Sequence, residues 1–205
     1  MIIRRILFYS IGLFILSLGI SLMIKADIGA GAWDALNVGL SETFGLTVGN
    51  WVIIVGSIVM LVNALLLMVR PAFLAIGTIV LIGFFIDFWM LFIFNNLLPV
   101  GFLLKLVIFI VGLVIASIGI AAYLQAKFPL SPLDNLMLAI SKRFKLKVGI
   151  AKTIAELTGL LLAFIFHGPI GIGTLLCTIG IGPVIQFFFP FFERLYASGS
   201  KASTE

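Results

Sequence analysis

Charged side chains, cysteine and histidine are all scarce in this chain. Of its 205 residues, 10% are charged and 62% are hydrophobic, with one cysteine and one histidine. So little polar surface cannot coat a water-soluble globule of this size, and the formal charge of +5 therefore does not indicate a nucleic-acid partner. The single cysteine, Cys177, lies within an apolar run, which excludes a disulfide framework and a cysteine metal pair.

The motifs of common enzyme classes are absent as well. The chain has no nucleophile elbow, no HExxH or CxxC pair and no phosphate-binding loop. No stretch remains for a soluble catalytic domain, because nearly the whole length is apolar. We therefore expect a protein that is not an enzyme and that carries no cofactor and no metal.

Long apolar runs dominate what is present. They have the length of membrane-spanning helices, and no succession of short alternating segments indicates a barrel. The sequence predicts a helical membrane protein with the lipid bilayer as its main partner. We place six spans at 6–24, 48–69, 72–94, 102–124, 148–166 and 170–192.

An internal duplication organises the chain. Without a gap, residues 12–49 match residues 112–149 at 14 of 38 positions, which include Asp34 and Asp134. A sequence this biased would match by chance at roughly a tenth of positions. We expect a first repeat over 1–100, a second over 101–192, and a polar cytoplasmic tail over 193–205.

Each repeat carries a short amphipathic helix after its first span. The patterns predict helices at 32–44 and 132–144, which are too short to cross a bilayer and must be either interfacial or re-entrant. Ser131 and Pro132 suit the N-cap and first helical position of the second copy. Asp34 and Asp134 then occupy the third helical position in their respective copies.

The distribution of lysine and arginine predicts the orientation. With the N-terminus inside, ten of these residues near helix ends face the cytoplasm and two, Lys25 and Lys105, face outward. Because each repeat has three spans, the second must enter the membrane inverted relative to the first. We expect an all-α protein of two inverted three-helix repeats in a bacterial cytoplasmic membrane, with both termini cytoplasmic.

Two stretches resemble a known family. The pattern G-x-G-x-W-D-x-L from Gly29 to Leu36 and the residues T-V-G-N from Thr47 to Asn50, in a chain of six helices, are similar to the YczE/YitT family of bacterial integral membrane proteins. The resemblance implies a multi-pass protein of the cytoplasmic membrane and brings no substrate or catalytic residue. The second copy departs from the pattern with Pro129, Ser131 and Leu133, so any role of Trp33 belongs to one repeat only.

Ionisable residues within the spans are the first candidates for a site, because each costs about 2.5 to 3.5 kcal/mol to insert. Lys152 and Glu156 stand four residues apart in the fifth span. They can form a structural pair with Lys152 reaching the headgroups, or Glu156 can be a proton or cation site, with Lys152 tuning its pKa or binding an anion. Asp87 in the third span is either solvated at the interface or part of a binding or relay site.

The short helices supply further candidates. Asp34 and Asp134 are either helix-capping residues or the floor and ceiling of a substrate cavity, since inverted-repeat transporters place helix termini near their substrates. Trp33 beside Asp34 and Asn63 in the second span complete the set of substrate-binding or ion-coupling candidates.

Two functions remain open at this point. The favoured one is a small-molecule or ion transporter that works by alternating access of its two repeats. The alternative is a non-transporting membrane factor that assists or regulates another membrane or biosynthetic complex. A polar cavity at mid-depth would favour the first and a packed centre the second. A homodimer is compatible with either, and the substrate is unknown.

Overall fold

The computed structural model describes residues 2–128 and 130–201, with side chains up to Ala197. Regular structure in these residues is entirely helical. A π-helical segment, Phe88–Ile93, extends the fourth helix. The eight α-helices of the described chain are α1 (Ile2–Lys25), α2 (Ala32–Phe44), α3 (Val48–Leu67), α4 (Leu74–Asp87), α5 (Phe102–Leu124), α6 (Pro132–Phe144), α7 (Val148–Ile165) and α8 (Ile172–Lys201).

Six of these helices are long and apolar enough to cross a membrane, which confirms the predicted spans. The two short helices, α2 and α6, have the predicted bounds. Helix α8 continues past the expected end of the last span, through Glu193 to Lys201. Residues 202–205 and Pro129 lie outside the described part.

The two halves have the same order of helices at an offset of 100 residues. A local detail repeats with them at the ends of the short helices. The Ser41 hydroxyl donates to the carbonyl oxygen of Leu46 at 2.8 Å, and the Ser141 hydroxyl donates to that of Leu146 at 2.8 Å. The match of the sequence repeats is therefore also a match of local structure.

The crossing of α1 and α5 forms the centre of the bundle. Gly12 lies against Gly119, and Gly19 lies against Gly112, so the two helices run antiparallel. A methyl group on Gly112 would come within 2.8 Å of the carbonyl oxygen of Gly19, and one on Gly119 within 2.7 Å of that of Gly12. Small residues thus let the two backbones meet, as packing between helices in lipid requires.

The short helices pack across the two halves: α2 lies on α7, and α6 lies on α3. The indole of Trp33 covers Gly159, where a methyl group would be 2.9 Å from Cε2 of the ring. On the other side, the Asn63 side-chain amide donates from Nδ2 to the carbonyl oxygen of Pro132 at 2.8 Å. Each short helix is therefore held by the opposite half.

The segment before α2 also holds the turn between α7 and α8. The Ala30 N–H donates to the carbonyl oxygen of Pro169 at 3.1 Å, and the Gly173 N–H donates to that of Ile28 at 2.8 Å. Gly29, with φ of +110°, lies so close to Gly171 that a methyl group would be 2.7 Å from its nitrogen. This end of α8 is fastened to the first half.

The spanning helices that follow the short ones pack differently in the two halves. In the first half, α3 and α4 pack along each other, whereas α7 and α8 of the second half are nearly without direct contact. Both α7 and α8 instead border a central cavity.

Candidate functional site

An open cavity of about 270 Å³ lies at the centre of the bundle. All eight α-helices contribute to its wall. Its charged lining residues are Asp34, Asp134, Lys152 and Glu156, and most of the remaining wall is aliphatic. The cavity is thus an apolar chamber with a small polar cluster, the usual composition of a small-molecule site.

The two halves line this cavity with equivalent positions. Helix α1 contributes Leu16, Ile20 and Met23, and α5 contributes residues 116, 120 and 123 at the hundred-residue offset. The same offset relates Asp34 to Asp134. The cavity therefore lies between the two repeats, and equivalent surfaces of both repeats face it.

The beginning of α2 is an unusual helix start. Gly31 is its N-cap and provides no side-chain hydrogen bond to the free backbone N–H groups. The Asp34 carboxylate folds back over Gly31, where a methyl group would be 2.8 Å from its Oδ2. Asp34 is half-buried, and no hydrogen bond to its carboxylate is found within the part of the chain that the structure describes.

One turn further along α2, the side chain of Asn37 lines the same cavity. Asn37 is 3% exposed, and its Oδ1 has no hydrogen-bond partner among the described residues. A buried carbonyl oxygen without a partner costs free energy, because it has given up water without replacement. Asn37 therefore carries an unsatisfied oxygen that is enclosed by protein beside the cavity.

The beginning of α6 is capped by its own side chains. The Ser131 hydroxyl accepts a hydrogen bond from the Leu133 N–H at 3.2 Å, and Pro132 takes the first helical position, as the sequence predicted. Asp134 accepts a hydrogen bond from the Tyr123 hydroxyl at 2.9 Å. The two aspartates at equivalent positions thus have different surroundings.

The environments also change how readily the two aspartates ionise. Burial, and to a smaller extent the Glu156 carboxylate, raise the pKa of Asp34 to about 7. Desolvation by the surrounding protein atoms also raises the pKa of Asp134, although its side chain is exposed to the open cavity and although the hydrogen bond from Tyr123 and the Lys152 ammonium favour its ionised form. Asp34 therefore exchanges its proton near neutral pH.

Lys152 and Glu156 reach the cavity from α7. Their charged atoms do not come within 4.0 Å of each other, so they do not form an ion pair. In the described part of the chain, an ion pair is found instead between Lys105 and Asp27, at 2.6 Å. The self-contained pair that their spacing allows is thus not formed. Lys152 is exposed and Glu156 half-buried, and both also border a smaller recess of about 140 Å³ beside Asp134.

Two predicted site residues do not line this cavity. Asp87 accepts hydrogen bonds from the Thr47 hydroxyl at 2.5 Å and from the Gly49 N–H at 2.8 Å. Thr47 also caps α3 by accepting from the Asn50 N–H at 3.2 Å. Asp87 therefore fastens the start of α3 to the end of α4, and the T-V-G-N residues form this junction. Asn63 holds α6 through Pro132, as described above.

Sequence reasoning missed Asn37 and Tyr123. Asn37 follows Asp34 by three residues, so the two lie on the same face of α2, and this spacing could have signalled it. Nothing in the local sequence indicates that Tyr123 binds Asp134, because the contact depends on how α5 meets the start of α6. Among the described residues, no group of three or more His, Cys, Asp or Glu side chains is arranged to hold a metal.

These observations define a multi-pass helical membrane protein with a central cavity. The chain belongs to a family described as a family of unknown function (DUF6198), which matches residues 3–190.

Individual relatives agree with this assignment. The chain is 40% identical over 197 residues to "Uncharacterized protein YyaS" of Bacillus subtilis, covering 96% of this chain and 98% of the relative. It is 36% identical over 192 residues to "Uncharacterized membrane protein YczE" of the same organism, covering 92% and 87%. An "Uncharacterized protein" of Haemophilus influenzae is 28% identical over 183 residues, covering 88% and 81%. No solved structure matches the chain. The resemblance to YczE is thereby confirmed.

Proposed function

We propose that this protein is a transporter of a small molecule, not an enzyme, and that its central cavity is the substrate site. The observation that supports this most is the set of four ionisable side chains around an open cavity of about 270 Å³ within a bundle of spanning helices. A non-transporting membrane factor, the other function that we considered, has no need of such a chamber.

The distribution of charge between the halves supports a functional role for the polar cluster. Val52 and Gly56 of α3 line the cavity at the positions equivalent to Lys152 and Glu156 of α7. The shared architecture is therefore built in one half without charges at these positions. Since an ionisable group at the centre of a membrane costs about 2.5 to 3.5 kcal/mol, the half-buried Glu156 needs a reason beyond packing.

We further infer that the halves are inverted repeats that alternate access to the cavity. Antiparallel contacts between α1 and α5 and an odd number of spans in each half support this arrangement. In such transporters, two states arise when the halves exchange conformations around the site. Here α3 and α4 are closed on each other while α7 and α8 stand apart, which corresponds to one of the two states.

Access in this state is proposed to be from the α6 side. Asp134 and Lys152 are exposed there, whereas the turn between α7 and α8 is fastened to the segment before α2. With the N-terminus in the cytoplasm of a bacterial cell, as the positive charges predict, this opening faces inward.

Topology can be tested by placing single cysteines at Ser41 and Ser141 in a Cys177→Ser background. We expect an impermeant thiol reagent added to intact cells to label the first and not the second. Labelling of both from one side would contradict the inverted arrangement, whatever the substrate is.

Transport can be tested with purified protein in proteoliposomes that contain a pH-sensitive dye and are adsorbed on an electrode. A panel of small cations, anions and zwitterions is added in turn, and currents and luminal pH are recorded. We expect a saturable response to one class that Glu156→Gln reduces at least tenfold while the thermal unfolding temperature is kept. No response to any class from folded protein would favour the non-transporting factor.

A further inference from the structure

The polar cluster of the cavity contains more acceptors than donors. Three carboxylates, those of Asp34, Asp134 and Glu156, face one ammonium, that of Lys152. With all four ionised, the cavity carries a formal charge of −2. An anionic solute would be repelled from this cavity, whereas a cation would be attracted and would reduce the net negative charge of the cavity.

The unmatched acceptors are concentrated on the α2 side. The Asp134 carboxylate already receives the Tyr123 hydroxyl. No hydrogen bond to the carboxylates of Asp34 and Glu156 is found among the described residues, and Asn37 Oδ1 is buried without a partner. An alkylammonium group presents three N–H donors, so that one such group could bind both of these free carboxylates.

The remaining wall selects the rest of the ligand. It is formed by aliphatic side chains from five spanning helices, among them Leu16, Ile20, Ile82 and Ile181. A volume of about 270 Å³ far exceeds a bare inorganic ion and falls just below the roughly 300 to 1,000 Å³ of drug-sized sites. The carboxylates are also not grouped as metal ligands. The chamber therefore fits a small ion with an apolar body.

We propose that the cavity binds a small organic cation, with its ammonium group held by Asp34 and Glu156 and its apolar body against the aliphatic wall. This names the substrate class of the proposed transporter and rests on that function for its biological meaning. The binding itself can be tested separately from transport.

Protons should compete with this cation at Asp34. Because protonation removes the negative charge that holds the ammonium group, affinity is highest above pH 7 and falls as the pH drops below it. The other titratable groups that line the same cavity are Tyr123 on α5, Asp134 on α6, Lys152 and Glu156 on α7, and Cys177 on α8. Binding at neutral pH should accordingly release protons from the protein.

The test compares three ligands of one shape: cyclohexylammonium, cyclohexanecarboxylate and cyclohexanol. Binding to the full chain in nanodiscs is measured by calorimetry in phosphate buffer, which contains no amine. We expect the ammonium compound to bind at least about tenfold tighter than the other two, because a hydrogen bond to a charged group is worth roughly 1.5 to 3 kcal/mol. Sodium chloride at equal concentration should not displace it.

Two variants link the binding to the assigned residues. Asp34→Asn should weaken ammonium binding at least about tenfold. Glu156→Gln, which keeps the size of the side chain and removes its charge, should also weaken it at least about tenfold and serves if Asp34→Asn does not fold. The matched control is Asp27→Asn, the same change at an exposed carboxylate outside the cavity, which should leave binding unchanged.

The outcomes separate the two proposals. Equal binding of all three ligands, displacement by sodium, or unchanged affinity in Asp34→Asn or Glu156→Gln would overturn the cation site. Selective ammonium binding without flux would leave the site standing and contradict the transporter. Flux of an anion without ammonium binding would support the transporter and contradict the cation site.

Discussion

The two halves of the chain differ most at the spanning helices that follow their short helices. In the first half, Asp87 joins α4 to the start of α3 through Thr47 and Gly49. In the second half, Lys147 and Phe187 occupy the positions of Thr47 and Asp87, so this junction cannot form, and α7 and α8 stand apart at the cavity. One half is locked by a polar junction that the other lacks.

Two of the four ionisable residues of the cavity follow the same division. Lys152 and Glu156 are on α7, which is not locked to its neighbour, whereas the locked α3 presents Val52 and Gly56. Features common to both halves, such as the glycines of α1 and α5, build the bundle. Lys152, Glu156 and the separation of α7 from α8 are confined to one half, and variants of each kind should therefore have different effects.

The largest effect is expected where the halves are alike. Gly19→Ala places a methyl group against the backbone of Ala116 in the α1–α5 crossing, which cannot yield as a side chain would. We expect a loss of about 3 kcal/mol or more of stability, measured by unfolding in detergent. Gly77→Ala in α4, where nothing lies within 4 Å, is the matched control and should be neutral or slightly stabilising. Equal effects would mean that the crossing is not tight.

The junction of the first half comes next. Asp87→Ala leaves the Thr47 hydroxyl and the Gly49 N–H without their acceptor and should cost about 2 to 3 kcal/mol. The change should also increase thiol labelling of a cysteine placed at Val55, which lines the cavity on α3. In a Thr47→Val background, Asp87→Ala should lower the stability less than it does in the unchanged protein, because Thr47 and Asp87 act together. Additive effects would contradict a shared junction.

A smaller effect is expected at the two short helices. Ser131→Ala removes the cap of α6 and should cost about 1 kcal/mol of stability. Gly31→Ala at the equivalent position of α2 removes no cap but crowds the Asp34 carboxylate. It should therefore lower cyclohexylammonium affinity more than Ser131→Ala does, as calorimetry can measure. The opposite ranking would place the cation on the α6 side.

The smallest effect concerns the charge confined to α7. Lys152→Met makes the formal charge of the cavity more negative and should raise cyclohexylammonium affinity several-fold, since the ammonium of Lys152 repels the ligand. Lys105→Met removes a lysine paired with Asp27 outside the cavity and is the control. A loss of affinity in Lys152→Met would mean that this lysine helps to hold the ligand.

Much of the candidate site could be predicted because the chain contains two copies of the same segment. Comparison of the copies singled out Asp34 and Asp134 as shared and Lys152 and Glu156 as unshared, and all four line the cavity. Asp87 was also predicted to be a site residue, because an ionisable residue in a span indicates a site. Its real partners, Thr47 and Gly49, are about forty residues away in sequence, and only the packing of α4 on α3 brings them together.

The sequence by itself determined the six spans, the short helices and the repeat, because these depend on local hydrophobicity and helix-capping residues that are read along the chain. Only the tertiary structure decided that Tyr123 binds Asp134, that Asn37 Oδ1 is left without a partner, and that α7 separates from α8. These features depend on how helices distant in sequence meet. In lipid, apolar faces are nearly interchangeable, so hydrophobic pattern alone does not specify which helix contacts which.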